Sequence, residues 1–197
     1  MRILMDDEKL SWDEAFKVAG ESFAFTNHTV LQEALEKWSL DLIDEVAPRC
    51  KDIIVEIDRR LMEDLDEEGI DKKDLHKYRI VHDGMVEMAF LATYMAKSIN
   101  GVAEIHTEIL KADTLNPWYK LYPEKFNNKT NGVTPRRWLQ YSNPELTLLI
   151  NELLGSEDWQ KDLSRLKELE KFQDDPEVLD RLNEIKFTKK KQLADYI

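Results

Sequence analysis

The sequence predicts a mainly α-helical protein with a few short strands. Two observations carry that class. Apolar residues recur at helical spacing over long stretches, most clearly from Lys51 to Leu65. Glycine and proline number only six each in 197 residues, about half the usual share, so there are few turns for a many-stranded sandwich or barrel. Hydrophobic residues make up 42% and charged residues 35%. That is a globular composition rather than a disordered one. Lys and Arg total 28 against 40 Asp and Glu, a net charge of −12. Such a chain repels polyphosphate, so no nucleic-acid partner is expected. No apolar run approaches 18 residues, so no membrane span is expected either.

Ser11-Trp12-Asp13-Glu14 has the form of a capping box and opens a helix ending near Gly20. Phe23 to Thr26 is β-prone and reads as a short strand. Thr29, with Gln32 three residues on, is expected to cap a helix running to Trp38. Leu40 to Val46 gives one or two helical turns before Pro48. In the Lys51–Leu65 helix, Ile53, Ile54, Ile57, Leu61, Met62 and Leu65 form one buried face. Glu67 to Lys77 is a polar link. Met85 to Met95 is apolar almost throughout, which leaves strand and buried helix both open, and Met88–Thr93 is the strand candidate. Asn100-Gly101 breaks that run. Val102, Ile105, His106, Ile109 and Leu110 then suggest a second helix face. Pro117 to Pro135 is rich in turn signals. Pro144 starts a helix that Gly155 closes. Leu163, Leu166, Leu169 and Phe172 are spaced by threes in a charged helical stretch, and Asp175-Pro176 starts a last helix.

Several motifs have plain readings. Asp64-x-Asp66-x-Glu68-Gly69 looks like the start of a calcium loop, but Leu75 stands where the bidentate Glu is needed. A solvated acidic link is the better reading, and no metal site is expected. His28, His76, His82 and His106 form no HExxH pair. The single cysteine, Cys50, excludes an intrachain disulfide and fits a reducing cytoplasm. Two segments stand out. Thr26-Asn27-His28-Thr29 gathers hydrogen-bonding groups where a strand meets a helix start. Asn127 to Trp138 combines amides, hydroxyls and Arg136-Arg137 ahead of an aromatic. Groups that both donate and accept suit sugar hydroxyls, although composition alone leaves a structural loop equally open.

At these residues the chain resembles the α-glucan (glycogen, starch, maltodextrin) phosphorylases. The resemblance rests on Thr26-Asn27-His28-Thr29-Val30-Leu31 followed by Glu33 to Trp38. It continues through Ser98-Ile99-Asn100-Gly101-Val102-Ala103-Glu104-Ile105-His106 to Leu110, Pro123 to Leu139, and Ser142-Asn143-Pro144. A weaker match follows from Glu157 to Asp175, and the whole runs in register from about Arg2 to Ile197. Departures are Gln32 for the usual Pro, Met95-Ala96-Lys97 for Gly-Ser-His, and Glu145 for Gly. Both chain ends read as cut, so a central piece of a longer protein with two facing Rossmann-like halves (GT-B type) is expected. Residues 1–135 would end the N-terminal half and 136–197 would begin the C-terminal half.

The resemblance implies a hexosyltransferase of glycogen degradation. Inorganic phosphate cleaves a terminal α-1,4-glucosyl unit, giving glucose 1-phosphate with retention and with pyridoxal phosphate as cofactor. It places the cofactor lysine and the phosphate-binding residues beyond Ile197. No catalytic residue and no bound cofactor are therefore expected in this chain, and the isolated chain is expected to be inactive. His28, Asn131 and Val102 would bind the sugar, Asn131 near its 6-hydroxyl. Glu36 and His106 would stand at the pocket rim or behind it, and Trp138 near the cofactor. Plainer roles remain open for several of these. Val102 and Trp138 would serve in any helical core, His106 as a hydrogen-bonded core histidine, and Glu36 as a partner for a neighbour on its helix. Unpaired strand edges would favour a homodimer. The alternatives are a non-catalytic interaction or regulatory fragment and a plain helical scaffold.

Overall fold

A computed structural model describes residues 1–197, and side chains satisfy the first free N–H groups of most of its longer helices. The chain forms two compact units, Met1–Asn131 and Gly132–Ile197.

In the first unit, helix α1 spans Trp12–Ser22 behind the capping box. Ser11 Oγ accepts from the Glu14 N–H, and the Glu14 carboxylate accepts from the Ser11 N–H at 3.0 Å. Strand β1 is Phe25–Thr26. The helix expected from Thr29 to Trp38 does not form. Thr29 Oγ1 accepts from the N–H of Leu31 at 3.1 Å, two residues on, which makes a turn rather than a helix cap. A single 3-10 turn follows at Gln32–Ala34. Strand β2, Lys37–Ser39, then pairs antiparallel with β4, Met85–Glu87, Trp38 lying opposite Val86. Helix α2 is Leu40–Val46, capped by Ser39, and α3 is Pro48–Glu67, with proline in its first turn.

Strand β3, Val81–His82, joins β4 through Asp83-Gly84, both with positive φ. That dipeptide is a strong hairpin signal. Helix α4 is Met88–Met95, so the proposed strand Met88–Thr93 is helical. A run apolar on every side has no periodicity to separate the two states. Strand β5 is Ile99–Gly101, helix α5 Glu104–Ile109, helix α6 Asn116–Leu121 and strand β6 Phe126–Asn128. The expected apolar face of α5 is mostly wet, with Ile105 74% exposed. Thr107 is the buried residue of α5, the buried Leu110 follows it, and Val102 precedes the helix.

Two three-stranded sheets result, ordered β1-β5-β6, all parallel, and β2-β4-β3, antiparallel. The core gathers Ile53, Ile57, Leu61 and Leu65 of α3 against Ile80, Val86, Ile99, Leu110, Leu115 and Trp118. At its edge Asp58 is only 4% exposed. It accepts from the N–H groups of Ile80 (2.8 Å) and Val81 (3.2 Å) and from Arg79 (2.6 Å).

In the second unit, a π-helical turn at Arg136–Tyr141 precedes α7, Pro144–Leu154. Asn143 caps α7, and Gly155 ends it at φ +66°. The residues spaced by threes form a 3-10 helix, Leu163–Phe172, whose turn is three residues long. Ile150, Leu154 and Trp159 form the small core, and Trp159 Nε1 donates to Asn151 Oδ1 at 2.7 Å. Helix α8, Pro176–Tyr196, is capped by Asp175 and has no fully buried residue. No helix in the protein is long and apolar enough to cross a membrane.

Candidate functional site

The parallel sheet aligns Thr26 of β1, Asn100 of β5 and Asn127 of β6 side by side. All three strands run the same way, so the loops leaving them emerge at one edge. In α/β sheets that carboxyl-end edge is where ligands gather. His28 lies two residues past β1, Val102 directly after β5, and Asn131 three residues past β6. The topology therefore brings the three residues proposed to bind sugar to one edge of one sheet, although the first and last lie more than a hundred residues apart.

Hydrogen bonds join these loops. Asn27, 2% exposed, donates its N–H to the Asn100 carbonyl at 2.9 Å. Its Oδ1 accepts from the Thr29 N–H at 2.9 Å, forming an Asx turn with the exposed His28 at its apex. Thr26 Oγ1 donates to Asn100 Oδ1 at 2.9 Å. Across the other strand pair, the Lys129 N–H donates to the Gly101 carbonyl (3.1 Å) and the Asn131 N–H to the Val102 carbonyl (2.9 Å). The Thr107 hydroxyl lies between Ala103 O (2.9 Å) and Asn128 Oδ1 (3.1 Å), with one proton for the two. Gly101 permits this approach, since a Cβ there would sit 2.9 Å from the Thr107 backbone N and Cα. Burial pushes the amine of Lys125 below its ordinary range. Its Nζ donates to the Tyr94 carbonyl at 2.8 Å, just before β6.

A cleft of about 400 Å³ opens beside His28, with Thr29, Leu35, Glu36, Phe25 and Met88 among its walls. His28 and Glu36 thus share one cleft, whereas Val102 and Asn131 are not on its walls. The Glu36 carboxylate accepts from Trp38 Nε1 at 3.1 Å. His106 is half-buried, and its Nδ1 accepts from the Val102 N–H at 3.0 Å. In the second unit Trp138 is 65% exposed. It lines an open groove of about 570 Å³ with Arg137, Tyr141 and Ser142.

The sequence alone does not show that Asn27, Asn100, Asn128 and Thr107 hold this edge. The available signal was three Asn-containing segments, 26–29, 98–101 and 126–131. Each lies at the end of a short strand, but only the first has the β-prone composition of one.

Comparison with known proteins agrees over the full length. The family model described as carbohydrate phosphorylase matches residues 1–197. The chain is 45% identical over 203 aligned residues to glycogen phosphorylase 2 of Dictyostelium discoideum. It is 42% identical to the cytosolic alpha-glucan phosphorylase 2 of Arabidopsis thaliana and 42% identical to glycogen phosphorylase of Bacillus subtilis. All of this chain is aligned in each case, but only 20%, 24% and 25% of those proteins, respectively. The chain spans between a fifth and a quarter of the length of these relatives.

Proposed function

The chain belongs to the carbohydrate phosphorylase family, and from that premise we propose that it forms the sugar-holding edge of an α-glucan phosphorylase. The observation that carries this reading is the arrival of His28, Val102 and Asn131 at one carboxyl-end edge of the β1-β5-β6 sheet. The whole protein would cleave a terminal α-1,4-glucosyl unit with inorganic phosphate and release glucose 1-phosphate. The names of the relatives support glycogen or α-glucan as substrate, and one such name supports a cytoplasmic setting. The parallel sheet supports a place in a larger Rossmann-like half, with 1–135 closing one half and 136–197 opening the next. Its two outer strands each keep an unpaired edge, which supports association with further strands or a second copy.

The residues of this chain bind and orient. The Asn131 amide both donates and accepts, as a sugar hydroxyl requires, and the His28 imidazole offers one donor and one acceptor. Val102 supplies an apolar wall, and Glu36 a carboxylate in the cleft beside His28. In the whole protein, pyridoxal phosphate would supply acid–base chemistry through its phosphate. The groove at Trp138 does not suit that cofactor by itself: it is open, and none of its walls is a lysine. The isolated chain is therefore expected to make no glucose 1-phosphate.

Titration of the isotope-labelled chain with maltoheptaose tests this. The expected result is amide shifts at His28, Val102 and Asn131, with no glucose 1-phosphate formed after phosphate and pyridoxal phosphate are added. Shifts confined to other surfaces, or phosphorolysis by the isolated chain, would overturn the reading.

A further inference from the structure

His106 is hydrogen-bonded to the loop that leaves β5 at this edge. A backbone N–H can only donate, so the 3.0 Å contact from the Val102 N–H makes His106 Nδ1 the unprotonated acceptor. The neutral ring then carries its proton on Nε2, which is enclosed and makes no hydrogen bond. The one polar contact of the ring within this chain is therefore to Val102. On the far side of the Val102 Cα, the Val102 carbonyl accepts from the Asn131 N–H at 2.9 Å. Both peptide groups flanking Val102 are thus fixed, one by His106 and the other by Asn131. The next residue, Thr107, reaches Asn128 Oδ1 on β6, so one turn of α5 braces both loops.

We propose that His106 is a positioning residue: its neutral imidazole fixes Val102 through Nδ1 and, through the Val102 carbonyl, sets the place of Asn131. This rests on the proposed function only in taking Val102 and Asn131 as sugar contacts. The coupling itself is a property of the chain. It accounts for a polar ring held through Nδ1 beside a strand end.

Amide exchange in the intact chain tests it, comparing the native protein with His106→Phe and His106→Asn. Asn carries an oxygen near the position of Nδ1, and Phe carries no acceptor. In His106→Phe, exchange should quicken about tenfold or more at both Val102 and Asn131, the loss of one hydrogen bond's worth of protection. The Phe25 and Asn27 amides, bonded to Ser98 and Asn100, should stay unchanged. His106→Asn should restore both protections. Unchanged Val102 exchange in His106→Phe, or faster exchange at Val102 with none at Asn131, would overturn the proposal. If His106→Phe fails to fold, the ring nitrogen shifts of the native protein decide: a proton on Nδ1 overturns the proposal, and one on Nε2 supports it. Maltoheptaose titration of the same proteins separates the two readings. No binding by the native chain, with the exchange coupling intact, sinks the sugar reading and leaves the positioning role supported. Binding weakened in His106→Phe and recovered in His106→Asn supports both.

Discussion

His28 and Asn131 are exposed; Asn131 is tied to the fold through its backbone N–H, and His28 sits at the apex of the Asn27 turn. Removing either side chain should leave stability nearly unchanged. On the proposed function, His28→Ala or Asn131→Ala in the whole protein should lower kcat/KM by roughly one to three powers of ten, from about 1.4–4 kcal/mol of lost transition-state hydrogen bonding. Steady-state kinetics beside thermal melts check this, and parallel losses of activity and melting temperature would assign both residues to structure. Asp58 is the opposite case. It is buried and serves two backbone N–H groups and Arg79. Asp58→Ala strands those donors and should cost about 2–4 kcal/mol, read from denaturant midpoints, with the β1-β5-β6 edge unaltered in its amide shifts. A loss below about 0.5 kcal/mol, the scale of an ordinary surface change, would mean water replaces the carboxylate.

Within elements, α3 carries a charge device that acid should switch off. The Glu56 carboxylate accepts from Arg59 and Arg60, each at 2.7 Å, and these guanidinium hydrogen bonds hold its pKa down to about 2 against an ordinary 4.5. A depressed carboxylate stabilises the folded state above its unfolded pKa, and that contribution fades as pH falls through the folded value. Glu56→Gln should therefore flatten the pH dependence of stability between about 4.5 and 2 while leaving it unchanged at pH 7 and above. An unaltered acid limb would show that the pairs are solvent-screened.

The long elements were legible because local chemistry decided them. The Ser11 capping box, the α3 stripe, the Asn143–Pro144 start and the Gly155 stop each depend on residues within one or two turns. Strands β2, β5 and β6 were not legible, because three-residue strands exist through partners far along the chain. Lys37–Ser39 is extended only because Met85–Glu87 lies beside it. The same limit applied to the site. His28, Val102 and Asn131 are candidates through family likeness alone, whereas the Asn27, Asn100 and Thr107 bonds that hold their loops join segments far apart in the chain and have no sequence period to betray them.

Across the whole molecule the two units carry very different cores. Thirteen buried hydrophobic residues cluster in Met1–Asn131, whereas the cluster in Gly132–Ile197 has three. Cooperative stability follows buried apolar area, and a segment of about 66 residues is close to the size where a single core becomes marginal. Helix α8 has no fully buried residue, and among its ties is the exposed pair of Arg181 with Glu152, at 2.6 and 2.8 Å. Exposed pairs contribute little and are screened by salt. Amide exchange in the intact chain should therefore show α3 opening only with the first unit as a whole. The amides of α8 should exchange about 10²-fold faster or more, by local opening. Raising salt to about 1 M, where the screening length falls to about 3 Å, should quicken α8 further and leave α3 unmoved. Equal protection of the two helices, or an α8 rate indifferent to salt, would mean that α8 is held by apolar packing along Leu179 and Leu182 rather than by its charged contacts.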